Sequence, residues 1–270
     1  MTSSSPSDVT AILAGGGQLP LVVARHLSHP FLVDFEGVDC DGFSAEYTAN
    51  FNTLGALFDV LRARKVTHVV FAGGMARPAL NPAEFDSKMI SLAPRLMAAF
   101  QSGDDALLRL VVDVFEEEGF TILGAHDLVP ELVAKASSIA GPVADAPAHA
   151  DAETGAHILE HMSALDIGQS CVVANGLCLG LETLQGTDAM LGFVAMTPPH
   201  LRRAKGVLIK RAKTGQDLRV DMPAIGVATV ENAAKAGLSG IAIEAKRVLL
   251  IDRPAICAAA ERLNISLWAF

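Results

Sequence analysis

Short apolar runs alternate with segments of helical apolar spacing along the first half of this 270-residue chain. Residues 9–14 form an apolar run ending in Gly15, Gly16 and Gly17, and Pro20 then opens an apolar-periodic segment through Leu27. This reads as strand, glycine turn and helix, with Pro20 in the first turn, where a missing N–H costs nothing. Residues 31–35 predict a second strand that delivers Asp34 and Glu36 at its end. The spacing of Leu54, Leu57, Phe58 and Leu61 predicts a helix over 54–65, and the β-branched run 66–71 predicts a strand leading into Gly73 and Gly74. Such alternation predicts parallel β-α-β packing. Glycine turns after two of the strands place both loops at the carboxyl edge of the sheet, where open α/β folds bind ligands. Helical content follows over 84–100, Gly103, Asp104 and Asp105 cap a helix over 106–118, and 120–123 reads as a strand.

Residues 128–147, rich in Ala, Ser, Pro and Gly, mark a boundary between domains at 1–135 and 136–270. The second half opens with a helix over 151–165. Two apolar runs, 171–174 and 177–181, flank Asn175-Gly176 and predict a type I′ hairpin. The hairpin leads into Glu182 and the Gly186-Thr187-Asp188 loop, where Thr187 or Asp188 is expected to cap a short helix whose N-terminus faces an anion. A strand over 207–209 ends at Lys210, a helix over 229–236 stops at Gly237, strands follow at 240–245 and 248–251, and a helix from Pro254 to Leu263 precedes a strand at 266–268. The predicted fold class is α/β with two domains, an N-terminal Rossmann-like parallel-sheet domain and a C-terminal mixed α/β domain.

Composition fits a well-buried enzyme: 51% of residues are hydrophobic and 19% charged, which excludes a disordered or coiled-coil chain. The net charge of -9 argues against non-specific nucleic-acid binding. The charge is unevenly spread, however. Seven of the 21 Lys and Arg fall between Arg202 and Arg219, beside Asp188, Asp217 and Asp221. Fixed cations beside acids able to hold a metal suit a polyanion such as a pyrophosphate. Cys40, Cys171, Cys178 and Cys257 show no C-x-x-C pairing, so reduced thiols in a cytosolic protein are expected. The opening MTSSSPSDVT lacks a basic and then apolar region, so no signal peptide is expected, and uncharged runs such as 167–181 fall short of the roughly 20 apolar residues of a membrane span.

Three motifs carry chemistry. The loop from Gly15 to Pro20 gathers backbone N–H groups at a helix N-terminus, which can cradle a phosphate or ribose; Pro20 at the third glycine position sets it apart from the dinucleotide fingerprint, and a plain tight turn is an equal reading. Asp34 or Glu36 stands where a ribose would be held. His157 and His161 with Glu160 fit the inverted zinc-protease pattern H-x-x-E-H, although five residues match often by chance and a helix surface is the better reading. In the stretch 185–226, Asp188, Asp217, Asp221 and Glu182 supply oxygens of the kind that Mg²⁺ takes. Lys210, Lys213 and Arg219 supply counter-charge for phosphoryl transfer. A solvated loop of mixed charge leaves the interleaved glycines, Thr187 and Gln216 unexplained.

Taken together, AGGGQLP, FAGGMARP, SGDDALLR and above all QGTDAML followed by KTGQDLRVDMPAIG resemble the LpxI-type UDP-2,3-diacylglucosamine pyrophosphatases, in order and spacing from Val9 to the C-terminus. The resemblance implies Mg²⁺-dependent hydrolysis of UDP-2,3-diacylglucosamine to UMP and 2,3-diacylglucosamine 1-phosphate, a step of lipid A synthesis in Gram-negative bacteria, by two domains that clasp the substrate. It implies Asp221 as the catalytic acid group, with Asp188 and Asp217 in support, Lys210 and Lys213 on the phosphates, and Asp221, Asp188 and Glu182 as metal ligands. Substrate contacts are expected from Gly15, Gly16, Gly17, Gln18, Leu19, Pro20, Glu36, Gly73, Gly74, Asp104 and Asp105, and from Gly186, Thr187, Gln216 and Arg219. The acyl chains need an apolar groove, for which 190–196 is the candidate segment. Gln185, where relatives usually have Glu, and Thr214, where they usually have Pro, depart from the pattern without touching these residues. The expected setting is the cytoplasm, with at most peripheral contact with the inner membrane, no nucleic-acid partner, and homo-oligomerisation left open. A non-catalytic nucleotide- or lipid-binding module and a zinc peptidase on His157 and His161 are the other classes the sequence allows.

Overall fold

The computed structural model describes residues 9–40 and 42–270, the side chain of Asp104 excepted. The chain divides into two compact units, Met1–Val129 with Arg219–Asp221, and Pro130–Leu218 with Met222–Phe270. In the first, β1 (Val9–Ala14), α1 (Leu19–His26), β2 (Phe31–Phe35), β3 (Tyr47–Ala49), α2 (Leu54–Ala63), β4 (Val66–Ala72), α3 (Ser87–Ser102), α4 (Asp104–Glu117), β5 (Thr121–Leu123) and α5 (Ala125–Leu128) follow in order. The five strands form a sheet of order β3-β2-β1-β4-β5, and every neighbouring pair is parallel. That order is the Rossmann-like one. Central strands of such a sheet are covered on both faces, which is why β1 is an unbroken apolar run with Ala11 to Ala14 at most 1% exposed. α2 buries Leu57, Phe58 and Leu61, the stripe its spacing predicts. Phe58 meets Phe115 of α4 edge-on at 5.0 Å, and Phe71 of β4 meets the same ring at 5.2 Å. Val220 packs on this core.

The second unit contains β6 (Ser137–Ala140), α6 (Ala146–Ser163), β7 (Ser170–Ala174), β8 (Leu177–Leu181), α7 (Gly186–Ala195), β9 (Val207–Lys210), β10 (Ala224–Ile225), α8 (Val227–Lys235), β11 (Gly240–Ile243), β12 (Leu249–Leu250), α9 (Arg253–Leu263) and β13 (Ser266–Ala269). Its six-stranded sheet has the order β6-β13-β11-β9-β7-β8. β13, β11 and β9 are parallel, while β6 and the β7–β8 hairpin join antiparallel at the two sides. β10 and β12 pair separately. Alternate residues serve opposite faces. Val172, Leu208, Ile241 and Leu267 pack with α7, α8 and α9, whereas Cys171, Val173, Ile209 and Trp268 pack with α6.

The Asn175-Gly176 turn has φ of 49° and 77°, the two left-handed residues that a type I′ turn requires. Its amides are held from outside the hairpin: Asn175 N donates to Asp151 Oδ2 at 2.9 Å and Gly176 N to Oδ1 at 2.7 Å. Asp151, on α6, is only 5% exposed. Elsewhere the structure departs from the sequence expectations. The stretch 128–147, read from composition only as a domain boundary, contributes the edge strand β6 and the start of α6, where Asp145 caps Ala148 N at 2.9 Å. Neither Thr187 nor Asp188 caps α7, which starts at Gly186 (φ 84°) after Gln185. Gly103 is the N-cap of α4, but the helix starts at Asp104 instead of residue 106, so Asp104 and Asp105 sit in its first turn.

Candidate active site

In the first unit, both glycine loops follow neighbouring parallel strands, β1 and β4, and the backbones meet. Gly15 N donates to Ala72 O at 2.7 Å. Gly16 and Gly74 exchange hydrogen bonds of 2.7 and 3.0 Å, a short antiparallel bridge on an otherwise parallel pair. A Cβ on Gly15 would stand 2.5 Å from Gly74 O, and one on Gly73 2.6 Å from Gly16 O. Gly15 and Gly73 are therefore required by the backbone contact itself, while Gly17 and Gly74 have open space beside them. Leu19 and Pro20 are buried in the first turn of α1, so of the predicted loop Gly17 and Gln18 are the exposed members.

A cavity of about 490 Å³ opens beside this bridge, lined by Gly16, Gly74, Glu36, Asn50, Phe51 and Arg77 among others. Glu36 accepts from Asn50 Nδ2 at 2.6 Å, and Phe51 stacks on Phe35 at 4.4 Å. Asn52, 7% exposed, receives Asn81 N on its Oδ1 (2.9 Å) and donates to Glu84 (3.0 Å), which fixes the wall of the cavity. Cys40 donates to Gly15 O at 3.1 Å; burial, and then the charges of Asp34 and Asp39, push its thiol up. Asp34 has one buried carboxylate oxygen without a hydrogen-bond partner among the described residues. Asn50 and Phe51 were not legible from the sequence, because the three-residue β3 that sets them out is too short to leave a pattern; Arg77 lies in the FAGGMARP motif but was given no role there.

Asp105 lies 3.9 Å from Arg109 on α4; the Asp104 side chain is outside the described residues. Arg219 pairs with Glu116 of α4 at 2.8 Å, and Asp221, half-buried, belongs to this same unit.

The second unit brings four predicted or neighbouring groups together at the end of β9. Lys210 is 8% exposed, and β7 runs antiparallel with Ser170 directly opposite it. Lys210 Nζ donates to Thr187 Oγ1 at 2.7 Å. Ser170 Oγ donates to Glu182 at 2.5 Å and lies 3.5 Å from Thr187 Oγ1. The set Glu182, Ser170, Thr187 and Lys210 therefore stands at the N-terminus of α7, where a buried ammonium and the free helix amides both favour an anion. Ser170 was missed: a serine opening an apolar strand carries no sequence signal.

Asp188 faces away from this set toward α8, accepting from Asn232 Nδ2 at 2.9 Å. Lys213 forms an ion pair with Asp166, and its backbone N–H donates to Gln216 Oε1 at 2.9 Å. Gln216, 8% exposed, thereby closes the turn before Asp217. Among the described residues, no three His, Cys, Asp or Glu groups are placed to hold a metal ion. On α6, His161 Nδ1 lies 2.8 Å from His157 O, and Glu160 is 3.8 Å from Arg211, so Glu160 and His161 of the protease-like pattern are engaged in an ion pair and a helix-backbone contact. A second recess, about 310 Å³, is lined by Gly180, Leu181, Gly186, Ala189, Met190 and Phe193.

Residues 9–132 match the family model of the LpxI N-terminal domain, and residues 135–268 match that of the LpxI C-terminal domain. The UDP-2,3-diacylglucosamine pyrophosphatase LpxI of Caulobacter vibrioides is 39% identical over 274 residues, an alignment covering 94% of each chain.

Proposed function

The chain belongs to the LpxI family, and from that premise we propose that it hydrolyses the pyrophosphate bond of UDP-2,3-diacylglucosamine to UMP and 2,3-diacylglucosamine 1-phosphate, in lipid A synthesis at the cytoplasmic side of a Gram-negative inner membrane. The observation that carries the reading is the buried Lys210 bonded to Thr187 at the N-terminus of α7. A fixed ammonium beside helix amides stabilises charge on phosphoryl oxygens without reorganising at the moment of reaction. Thr187 and Gly186 stay as substrate contacts on this ground, and Ser170 and Glu182 hold Thr187 in place. In the first unit, the cavity beside the Gly16–Gly74 bridge offers Glu36 and Asn50 for ribose hydroxyls, and Gly17, exposed at the start of α1, is the proposed phosphate contact. Part of an acyl chain fits the recess along Ala189, Met190 and Phe193.

In the reaction, a water oxygen bonds to the sugar-side phosphorus, the bond from that phosphorus to the bridging oxygen breaks, and UMP leaves with the bridging oxygen. Asp221 orients the water and takes its proton. Asp217 and Lys213 flank the chain leading to Asp221, and Arg219, through Glu116, fixes the backbone beside it. Mg²⁺ would supply further neutralisation of the pyrophosphate. Such an ion is usually held by one or two carboxylates and the substrate's own phosphates rather than by a cage built by protein alone; Asp221 in the first unit or Glu182 beside Lys210 in the second would be the donor, Asp188 being engaged by Asn232.

The test is turnover of UDP-2,3-diacylglucosamine in water labelled with heavy oxygen, with and without Mg²⁺. Label in 2,3-diacylglucosamine 1-phosphate and dependence on Mg²⁺ are expected; label in UMP overturns the assigned phosphorus, and no hydrolysis overturns the activity. Asp221→Ala is expected to lower kcat by at least about 1,000-fold with substrate still bound, within the range for loss of a catalytic group.

A further inference from the structure

α7 presents a second surface, distinct from its N-terminal end. Ala189, Gly192, Phe193 and Met196 recur at helical spacing on its outer side, and all four are exposed. Phe193 is 63% and Met196 71% exposed. The turn that follows is folded back onto the same end of the helix by Arg202, whose guanidinium donates to Val194 O at 2.7 Å and to Ala236 O at 2.6 Å, joining the C-termini of α7 and α8. The residues on either side of that anchor are held outward: Leu201 is 57% exposed, and Arg203 is exposed, as is Lys205. Neither Arg203 nor Lys205 has a carboxylate partner among the described residues. No Asp or Glu occurs between Asp188 and Asp217, in a chain of net charge -9.

We propose that Met196, Leu201, Arg203 and Lys205, with the outer stripe of α7, form a docking surface for an anionic lipid bilayer. Apolar side chains beside uncompensated cations are the composition of an interfacial contact, where the former enter the headgroup boundary and the latter meet lipid phosphates. Charge decides between this occupant and a second copy of the chain. A twofold interface would set the same patch against itself, bringing Arg203 and Lys205 near their own counterparts, whereas an acidic lipid surface complements both. No helix among the described residues is long and apolar enough to cross a membrane, so the contact is peripheral. It agrees with a substrate carrying two acyl chains, and to that extent rests on the proposed activity.

Sedimentation of the full-length protein with vesicles tests the proposal in the absence of any substrate, so its outcome is independent of the pyrophosphatase reading. The protein is expected to pellet with vesicles of phosphatidylcholine containing about one quarter phosphatidylglycerol, and to stay in solution with phosphatidylcholine alone. Arg203→Glu with Lys205→Glu should weaken binding at least about tenfold, each basic residue near an anionic surface being worth about fivefold. Met196→Ser with Leu201→Ser should weaken it at unchanged charge, both pairs keeping the parent circular-dichroism spectrum and melting midpoint. Equal partition onto both vesicle types, no partition, or variants that bind as the parent does would overturn the proposal. So would a concentration-dependent dimer that the Met196 and Leu201 changes dissolve, which would assign the surface to a second copy.

Discussion

Replacing Asp151 removes a side chain that holds the hairpin turn from outside. Its two oxygens take the amides of Asn175 and Gly176 at 2.9 and 2.7 Å, and hydrogen bonds to a charged group contribute about 1.5–3 kcal/mol each. Both turn residues are exposed, so water recovers part of the loss in Asp151→Ala. A net cost of about 2–3 kcal/mol is expected. Asp151→Asn keeps one acceptor and turns a donor toward the other amide, and should cost about half as much. Trp268, the chain's single tryptophan, lies in β13 of the same unit and is 4% exposed, so its fluorescence reports the transition. With a urea dependence of about 1–3 kcal/mol per molar for a unit of this size, the midpoint should fall by about 1–2 M for Ala. A shift under about 0.3 M, or equal shifts for Ala and Asn, would refute the reasoning. The turn matters beyond stability, because a one-residue slip in the β7–β8 pairing would turn Ser170 and Glu182 to opposite faces.

Three other outcomes are expected. Lys210→Met should lower kcat about 100-fold or more with a smaller change in KM, the effect of losing one preorganised charge at a phosphoryl group, while circular dichroism stays that of the parent. Gly73→Ala places a Cβ against Gly16 O at a residue with φ of 98°; it should destabilise the protein by about 1–3 kcal/mol and weaken UMP binding, read by thermal melting and calorimetry. Glu118 is held below the usual carboxylate range by a hydrogen bond and ion pair from Lys88, with Arg62 adding to it. Its contribution is therefore complete above the unfolded-state pKa of about 4.3 and is lost as pH falls through the lower folded value. Glu118→Gln should be less stable than the parent at pH 7, and the two stability curves should converge in the acid range.

The sequence pattern located the elements that depend on local periodicity: β1, α2, β4, the Asn175-Gly176 hairpin, and β9 ending at Lys210 all stand where spacing and turn residues put them. What it could not reveal depends on partners distant in the chain. β6 and β3 are short and gain their identity from pairing with β13 and β2, so composition alone showed the first only as part of a domain boundary. The glycines of the two loops carried a clear signal, and at Gly15 and Gly73 the meeting of two backbones by itself requires them. Thr187 was legible as a candidate at an anion site and misread as a cap, because its hydroxyl is taken by Lys210, 23 residues further on.

The three residues Arg219–Asp221 belong to a unit whose other members all lie before Pro130. Val220 packs on that unit's core, and Arg219 pairs with Glu116 of α4. During synthesis, at about 5–20 residues per second, the last part of the N-terminal unit therefore leaves the ribosome about 5–20 s after the rest of it. Until then the segment assigned to chemistry, Asp221 included, has not been made, although the cavity beside the glycine loops can already form. The order of the chain thus separates in time the formation of a nucleotide-sized pocket from the arrival of the acid proposed to act on its ligand, and a nascent chain stalled before residue 219 is expected to bind UMP without hydrolysing anything.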